Sequence, residues 1–312
     1  MSRILITGGA GFIGSALAAH LAASGKDHIV VADNLRTGAP ERVPQLPNVT
    51  FIKCDVNRFE DISSVFYAGR FDYVFHYAAL VGVQRTLRNP VSVLEDLQGI
   101  RNVLNLCKNT GVKRVFYASS SEVYGEPFEI PQNEQTTPLN SRLPYAIVKN
   151  AGEAYLRSYQ QEFGLEYTVF RFFNTYGAGQ SQDFVIARFL RAALAGEPLQ
   201  VYGDGKQTRT FCHISDNIEA CAKVFREGSF INDVINIGSD EEVSVRELAQ
   251  TVIAVCGSAS PIVHLDALKE GDMTRRRPDN TKMREILDRP LLPLEQGLTA
   301  ILEEWQAAHV RN

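Results

Sequence analysis

The feature that most constrains this chain is a glycine turn close to its start. Thr7-Gly8-Gly9-Ala10-Gly11-Phe12-Ile13-Gly14 follows a short apolar run, Arg3–Thr7, and opens a segment with helical spacing. Gly8, Gly11 and Gly14 supply a tight turn, close backbone approach to a ligand and close helix packing. The helix start offers N–H groups that lack intrahelical acceptors, together with a partial positive charge, and both suit a pyrophosphate. A glycine pattern alone is weak; the strand–turn–helix setting gives it meaning.

The same alternation continues through the first half. His28–Asp33, Val49–Lys53, Tyr73–His76, 114–118 and 166–170 read as buried strands, with helical patterns between most of them. In the first helix Ile13, Ala16, Leu17, His20 and Leu21 form one face. Strands alternating with helices imply a parallel sheet covered on both sides, and right-handed crossovers make it doubly wound. After about Asn174 the rhythm breaks, with glycine and proline at Gly177, Gly179, Gly196, Pro198, Gly203 and Gly205. The expected architecture is therefore α/β: a doubly wound parallel (Rossmann) sheet with a smaller α/β substrate-binding domain. The first spans 1–173, completed by about 211–238; the second takes 174–210 and 239–312. Ligands in open sheets of this kind bind at the carboxyl edge, where the smaller part is expected to form a cap.

Composition narrows the functional classes. A chain of 312 residues is long enough for such a core. The formal net charge of −4 argues against a nucleic-acid-binding face, though not against a local basic pocket. The five cysteines are odd in number and form no C-x-x-C pair, which argues against a disulfide framework or a structural zinc site. No metal is expected, and a reducing cytoplasm fits best. Met1-Ser2-Arg3 leads straight into a strand without the pattern of a signal peptide, and no apolar run approaches the roughly 18 to 20 residues that span a bilayer.

Asp33 ends the second strand. A carboxylate there accepts hydrogen bonds from an adenosine ribose and repels a 2′-phosphate, so the expected cofactor is NAD. The nearby Arg36 keeps NADP open, and a purely structural glycine turn with a solvated aspartate is the bland alternative. Further on, Tyr145 and Lys149 stand four apart, which puts both on one helix face. A free tyrosine titrates near 10, but a neighbouring ammonium favours its phenolate, as does a positive nicotinamide ring. The pair could then take a proton from a substrate hydroxyl while NAD accepts hydride. Alone, a Y-x-x-x-K is usually surface decoration.

It is not alone. The glycine turn, Ser119-Ser120-Ser121-Glu122-Val123-Tyr124-Gly125 after the fifth strand and the Y-x-x-x-K occur in one order. With them stand Cys54-Asp55-Val56, His76-Tyr77-Ala78-Ala79, Arg171-Phe172-Phe173-Asn174-Thr175-Tyr176-Gly177 and Gln207-Thr208-Arg209-Thr210-Phe211. Over nearly its whole length the chain resembles the extended short-chain dehydrogenase/reductase family, in its group of nucleotide-sugar epimerases, dehydratases and decarboxylases. The resemblance implies catalytic roles for Ser120, which would hydrogen-bond the sugar 4-hydroxyl, for Tyr145 as base and for Lys149. It implies NAD contacts at Gly8, Gly11, Phe12, Ile13, Gly14, Asp33, Asn34, Asp55, Val56, Ala78, Ala79, Tyr145 and Lys149. Substrate contacts fall on Val83, Ser121, Arg142, Asn174, Arg209 and Arg276, with Asn174 and Arg209 on the diphosphate; a guanidinium presents a planar fork to such groups. One gap stands out: where the family often has N-V-x-G, this chain has Asp96-Leu97-Gln98-Gly99.

The resemblance fixes the family better than the reaction. Oxidation at C4 of the sugar makes the C5 proton acidic and a C6 carboxylate easy to lose. Glu122, two residues before Tyr124, sits where the family's dehydratases and decarboxylases carry Glu, and Ser121 matches the decarboxylases. Asp272-Met273-Thr274-Arg275-Arg276-Arg277-Pro278-Asp279 resembles the R-[KR]-P-D segment of UDP-glucuronate decarboxylases, with Arg276 near the reacting carboxylate. The bland alternative for that stretch is a solvated basic turn. Tyr-Ala-Ile-Val-Lys, by contrast, is in the generic epimerase style. A decarboxylase or dehydratase of a UDP-linked sugar acting through a 4-keto intermediate therefore ranks first and a UDP-sugar 4-epimerase second. A non-catalytic NAD-binding redox sensor is the reading from another class. The expected partners are a nucleotide-diphosphate sugar and a second copy of the chain, paired through helices at about 90–108 and 145–163. No nucleic acid or membrane is expected.

Overall fold

The computed structural model describes residues 1–266 and 275–310. At its centre lies a seven-stranded sheet. Its first six strands in chain order are β1 (Arg3–Thr7), β2 (His28–Asp33), β3 (Val49–Lys53), β4 (Tyr73–His76), β5 (Arg114–Ser120) and β6 (Glu166–Phe172). The strand Asp233–Ile237 completes it at the edge beside β6, and the order runs from there through β6, β5, β4, β1 and β2 to β3. Pairings among β1 to β6 are parallel. Ile4, Leu5, Ile6, Val74, Phe75, Val115 and Phe116 are fully buried, as a sheet covered on both faces requires. The order reverses between β1 and β4, which is the switch point where ligands gather in such sheets. The expected doubly wound Rossmann sheet is present. β5 and β6 run two residues past the expected spans, to Ser120 and Phe172.

The first helix, Phe12–Ala23, buries Gly14, Leu17, Ala18, Leu21 and Ala22 and exposes His20. That face is rotated from the expected one through Ile13, Ala16 and His20. Gly14 decides it: a Cβ there would lie 2.3 Å from the Gly8 carbonyl oxygen, so this side of the helix seats directly on the turn. The expected helix over 90–108 is two helices, Pro90–Leu94 and Asp96–Thr110. At the junction the Gln98 N–H donates to the Glu95 carbonyl, an i→i+3 bond in place of i→i+4, while the Asp96 carboxylate takes the Leu80 N–H.

Contacts divide the chain into two compact units. The first comprises 1–125, 139–172 and 218–235. The second comprises 126–138, 173–217 and 236–312. The second has its own apolar core, in which Phe189, Leu190, Leu199, Val201, Leu248 and Val252 are buried. Its short strands pair Thr208–Thr210 with Glu242–Ser244 and Leu199–Tyr202 with Ile262–Leu265.

Candidate active site

The glycine turn is shaped for close backbone approach. Gly8 sits at φ +70, a conformation open to glycine, and a Cβ there would lie 2.6 Å from the Ala78 nitrogen. Gly11 is the N-cap of the first helix, and no side chain caps this helix end. Its first-turn N–H groups therefore keep the character of an anion site. Beside the turn, Asp33 is buried, with its carboxylate accepting from the Ala10 N–H at 3.0 Å and the Leu35 N–H at 2.8 Å. The two bonds fix the carboxylate at the carboxyl end of β2, against the loop that contains Asn34. Asn34 donates to Asp55 at 3.1 Å, and Val56 beside it is buried. The close-approach glycines, the uncapped helix start and the fixed carboxylate are groups of the kind that fit a dinucleotide's pyrophosphate and ribose.

At the end of β4 the His76 Nδ1 lies 2.8 Å from the Thr7 hydroxyl, which also accepts from the Ala78 N–H at 3.4 Å. Burial pushes the His76 pKa down to about 3, with the Lys149 charge acting in the same direction, so His76 is neutral. The Thr7 hydroxyl thus ties His76 and Ala78 to the residue that starts the glycine turn. Asp96, at the gap in the family pattern, holds the same region: it accepts from the Leu80 N–H at 2.7 Å and from the Asn57 amide at 3.3 Å. Burial raises its pKa, against the pull of those bonds and of Lys149.

Ser120 is the last residue of β5 and caps the short 3₁₀ turn Ser121–Tyr124. Its hydroxyl accepts from the Glu122 N–H at 3.2 Å. Ser121 is buried and Glu122 half-buried. Tyr145 and Lys149 lie in the first turns of the helix Pro144–Phe163, which starts with proline at a position where its missing N–H costs nothing. The Lys149 ammonium is 5.8 Å from the Tyr145 ring centroid and donates to the Ala118 carbonyl at 2.6 Å. Lys149 is 3% exposed, and burial lowers its pKa to about 8, with Asp96 acting in the opposite direction. The first unit thus brings the expected Ser120, Tyr145 and Lys149 to neighbouring ends of one strand and one helix. Arg142, just before that helix, is exposed. Val83 opens the helix Val83–Arg88, and its side chain lies outside those described.

In the second unit Asn174 has a positive φ of 21, an uncommon conformation that asparagine tolerates. Its amide donates to the Thr210 carbonyl at 2.9 Å. Arg209 donates to the Thr208 carbonyl at 2.7 Å from the strand Thr208–Thr210. Arg276 is buried at 6% exposure, while its neighbour Arg275 grips Glu242 through two bonds of 2.6 and 2.5 Å. The basic stretch is thus not one solvated turn, and its preceding Asp272, Met273 and Thr274 lie outside the described residues. Among the described residues no three of His, Cys, Asp and Glu gather as a metal site, and no helix is long and apolar enough to cross a membrane.

Sequence reasoning missed a buried polar network under Ser120, made by Ser119, Tyr124, Glu153 and Arg171. Glu153 stands one turn after Lys149 on the same helix face, so a charge on an inward position was the available signal.

The comparisons agree with this geometry. The model of the family described as NAD dependent epimerase/dehydratase matches residues 4–238. A UDP-N-acetyl-alpha-D-glucosaminuronate decarboxylase of Bacillus cytotoxicus is 37% identical over 96% of this chain and 97% of its own. Among solved structures, a UDP-glucose 4-epimerase of Thermotoga maritima with UDP-glucose superposes with a TM-score of 0.92 at 30% identity, covering 98% of this chain and 99% of its own. The dTDP-glucose 4,6-dehydratase DesIV of Streptomyces venezuelae, with NAD bound, gives 0.89 at 28% identity, covering 99% and 98%.

Proposed function

The chain belongs to the NAD-dependent epimerase/dehydratase family, and from that premise we propose that it decarboxylates a UDP-linked sugar acid through a 4-keto sugar. The observation that carries this reading is the Ser120–Glu122 turn: an ionisable carboxyl group two residues beyond the serine, on the loop leaving a central parallel strand. Side chains of such loops face the ligand cleft of an open sheet. The likeness to a sugar-acid decarboxylase over almost the full length of both chains supports it.

Bound NAD would supply the reversible hydride acceptor for the sugar C4. Ser120 orients the 4-hydroxyl. Tyr145 takes its proton, with the Lys149 ammonium nearby favouring the phenolate. Glu122, with Ser121 beside it, manages the proton at the carbon that loses carbon dioxide. Gly8, Gly11, Phe12, Ile13, Gly14, Asp33, Asn34, Asp55, Val56, Ala78 and Ala79 hold the dinucleotide. Val83, Arg142, Asn174 and Arg209 bind the nucleotide-sugar, the last two at its diphosphate, and Arg276 meets the carboxylate. The first compact unit, 1–125 with 139–172 and 218–235, forms the NAD-binding domain and the second the substrate-binding domain; the expected bounds of 1–173 with about 211–238 differ chiefly at 126–138, which belongs to the second unit. The enzyme acts in the cytoplasm, consistent with its free cysteines, and as a homodimer.

A UDP-sugar 4-epimerase is the second reading, favoured by the likeness to the Thermotoga epimerase. Incubation with a panel of nucleotide sugars, followed by mass and NMR, separates them. Loss of carbon dioxide from a UDP-sugar acid is expected. Loss of water points to dehydration, and an unchanged mass with inversion at C4 overturns the first reading in favour of the second.

A further inference from the structure

The helix Pro144–Phe163 grips β5 at two consecutive residues. Lys149 donates to the Ala118 carbonyl at 2.6 Å. One helical turn on, Glu153 accepts from the Ser119 hydroxyl, also at 2.6 Å. Ser120 is the next residue of the strand. Glu153 is fully buried and Arg171, on β6, is 2% exposed. Arg171 meets both carboxylate oxygens, Nε to Oε1 at 2.9 Å and Nη2 to Oε2 at 2.7 Å. Its remaining arm donates to the Tyr124 hydroxyl at 2.8 Å, at the end of the 3₁₀ turn that carries Glu122. Arg157 adds an ion pair to Oε2 at 3.6 Å.

We propose that Glu153 is a positioning residue: locked by Arg171, it holds Ser119 so that the Ser120 hydroxyl stays in register with Lys149 and Tyr145 on the helix. The inference rests on the proposed sugar chemistry, which gives Ser120, Tyr145 and Lys149 their roles. Its physical basis is the cost of the arrangement. A buried ion pair is a poor source of stability, because taking both charges out of water offsets most of their attraction. What it does supply is directionality. A carboxylate with both oxygens engaged, and a guanidinium that serves helix, strand and turn at once, admit one relative placement of those three elements. An apolar contact at the same point would allow sliding, and a small misplacement of reacting groups is expensive in rate.

Glu153→Gln leaves a guanidinium buried opposite a neutral partner and endangers folding, so the decisive variants are uncharged. Ser119→Ala removes the link to the strand, and Tyr124→Phe removes the link to the turn. In each, kcat should fall about tenfold or more, the order that one lost hydrogen bond to a charged partner carries when it acts on the barrier. KM for the nucleotide sugar and Kd for NAD should stay within about twofold, because neither contact touches a ligand. Wild-type kcat in both variants overturns the proposal. So does a rise in KM and Kd in proportion to the loss in kcat, which marks general loosening. If the wild type turns over no nucleotide sugar, the functional reading fails, and the crystal structure of Ser119→Ala with NAD decides this one. A lengthened Lys149–Ala118 bond supports it, and an unchanged one overturns it.

Discussion

The Lys149 ammonium is buried against the carbonyl of Ala118, two residues before Ser120. Burial lowers its pKa from 10.5 to about 8. Between about pH 8 and 10.5 the unfolded chain therefore binds more protons at this position than the folded chain, and stability rises with pH there. Below pH 8 both states are protonated and folding bears the full cost of the buried charge. Lys149→Met removes this dependence. Unfolding by urea in the absence of NAD should show the wild type gaining on Lys149→Met by up to about 3 kcal/mol across that window. A constant difference between the two curves contradicts the assignment.

Tyr145→Phe keeps the ring that packs against the core and removes the hydroxyl. General-base loss costs roughly 10²- to 10⁴-fold in kcat. NAD affinity and the melting temperature should hold. Near-normal turnover would show that another group takes the proton.

Glu122→Gln preserves shape and removes the titratable group. A decarboxylase so altered should still reduce NAD, with a gain in nicotinamide absorbance, and build the 4-keto sugar, then stall before carbon dioxide leaves. Nicotinamide absorbance and gas release, followed in one experiment, report the two events separately. An epimerase needs nothing at C5 and would lose little activity.

Gly14→Ala places a methyl 2.3 Å from the Gly8 carbonyl oxygen and 2.8 Å from the Gly9 Cα, both backbone atoms that cannot swing aside. Overpacking of this kind costs about 1–3 kcal/mol. The turn must open to relieve it, so NAD affinity should fall with stability. Calorimetric titration and thermal melting check both.

Val91 is 72% exposed, with Leu94 on the same short helix and Ile147 on the helix Pro144–Phe163 also exposed. Such apolar positions on the elements expected to pair two subunits make a charge there a direct test of the dimer. Light scattering of the wild type should give a dimeric mass, and Val91→Glu with Leu94→Glu a monomeric one. A monomeric wild type rules the dimer out.

The fold was legible because its signals are local and periodic. Apolar runs near Ile4–Ile6, Val74–Phe75 and Val115–Phe116 mark strands wherever they lie, and Gly8, Gly11 and Gly14 announce a turn that little else can adopt. The four-residue spacing of Tyr145 and Lys149 puts them on one helix face, and Ser120 joins them through the family resemblance. Other features depended on contacts between distant parts of the chain. The seated face of the first helix follows from how near Gly14 comes to Gly8, and the break at Glu95 accompanies the bond between Asp96 and Leu80. Spacing along one helix cannot report what that helix meets. The same holds for Glu153: the sequence places it a turn beyond Lys149, but only the packed strands bring Ser119 and Arg171 to its two oxygens. A buried charge is tolerable only with partners, and those partners are chosen by the tertiary structure, across 34 residues in one case and 18 in the other.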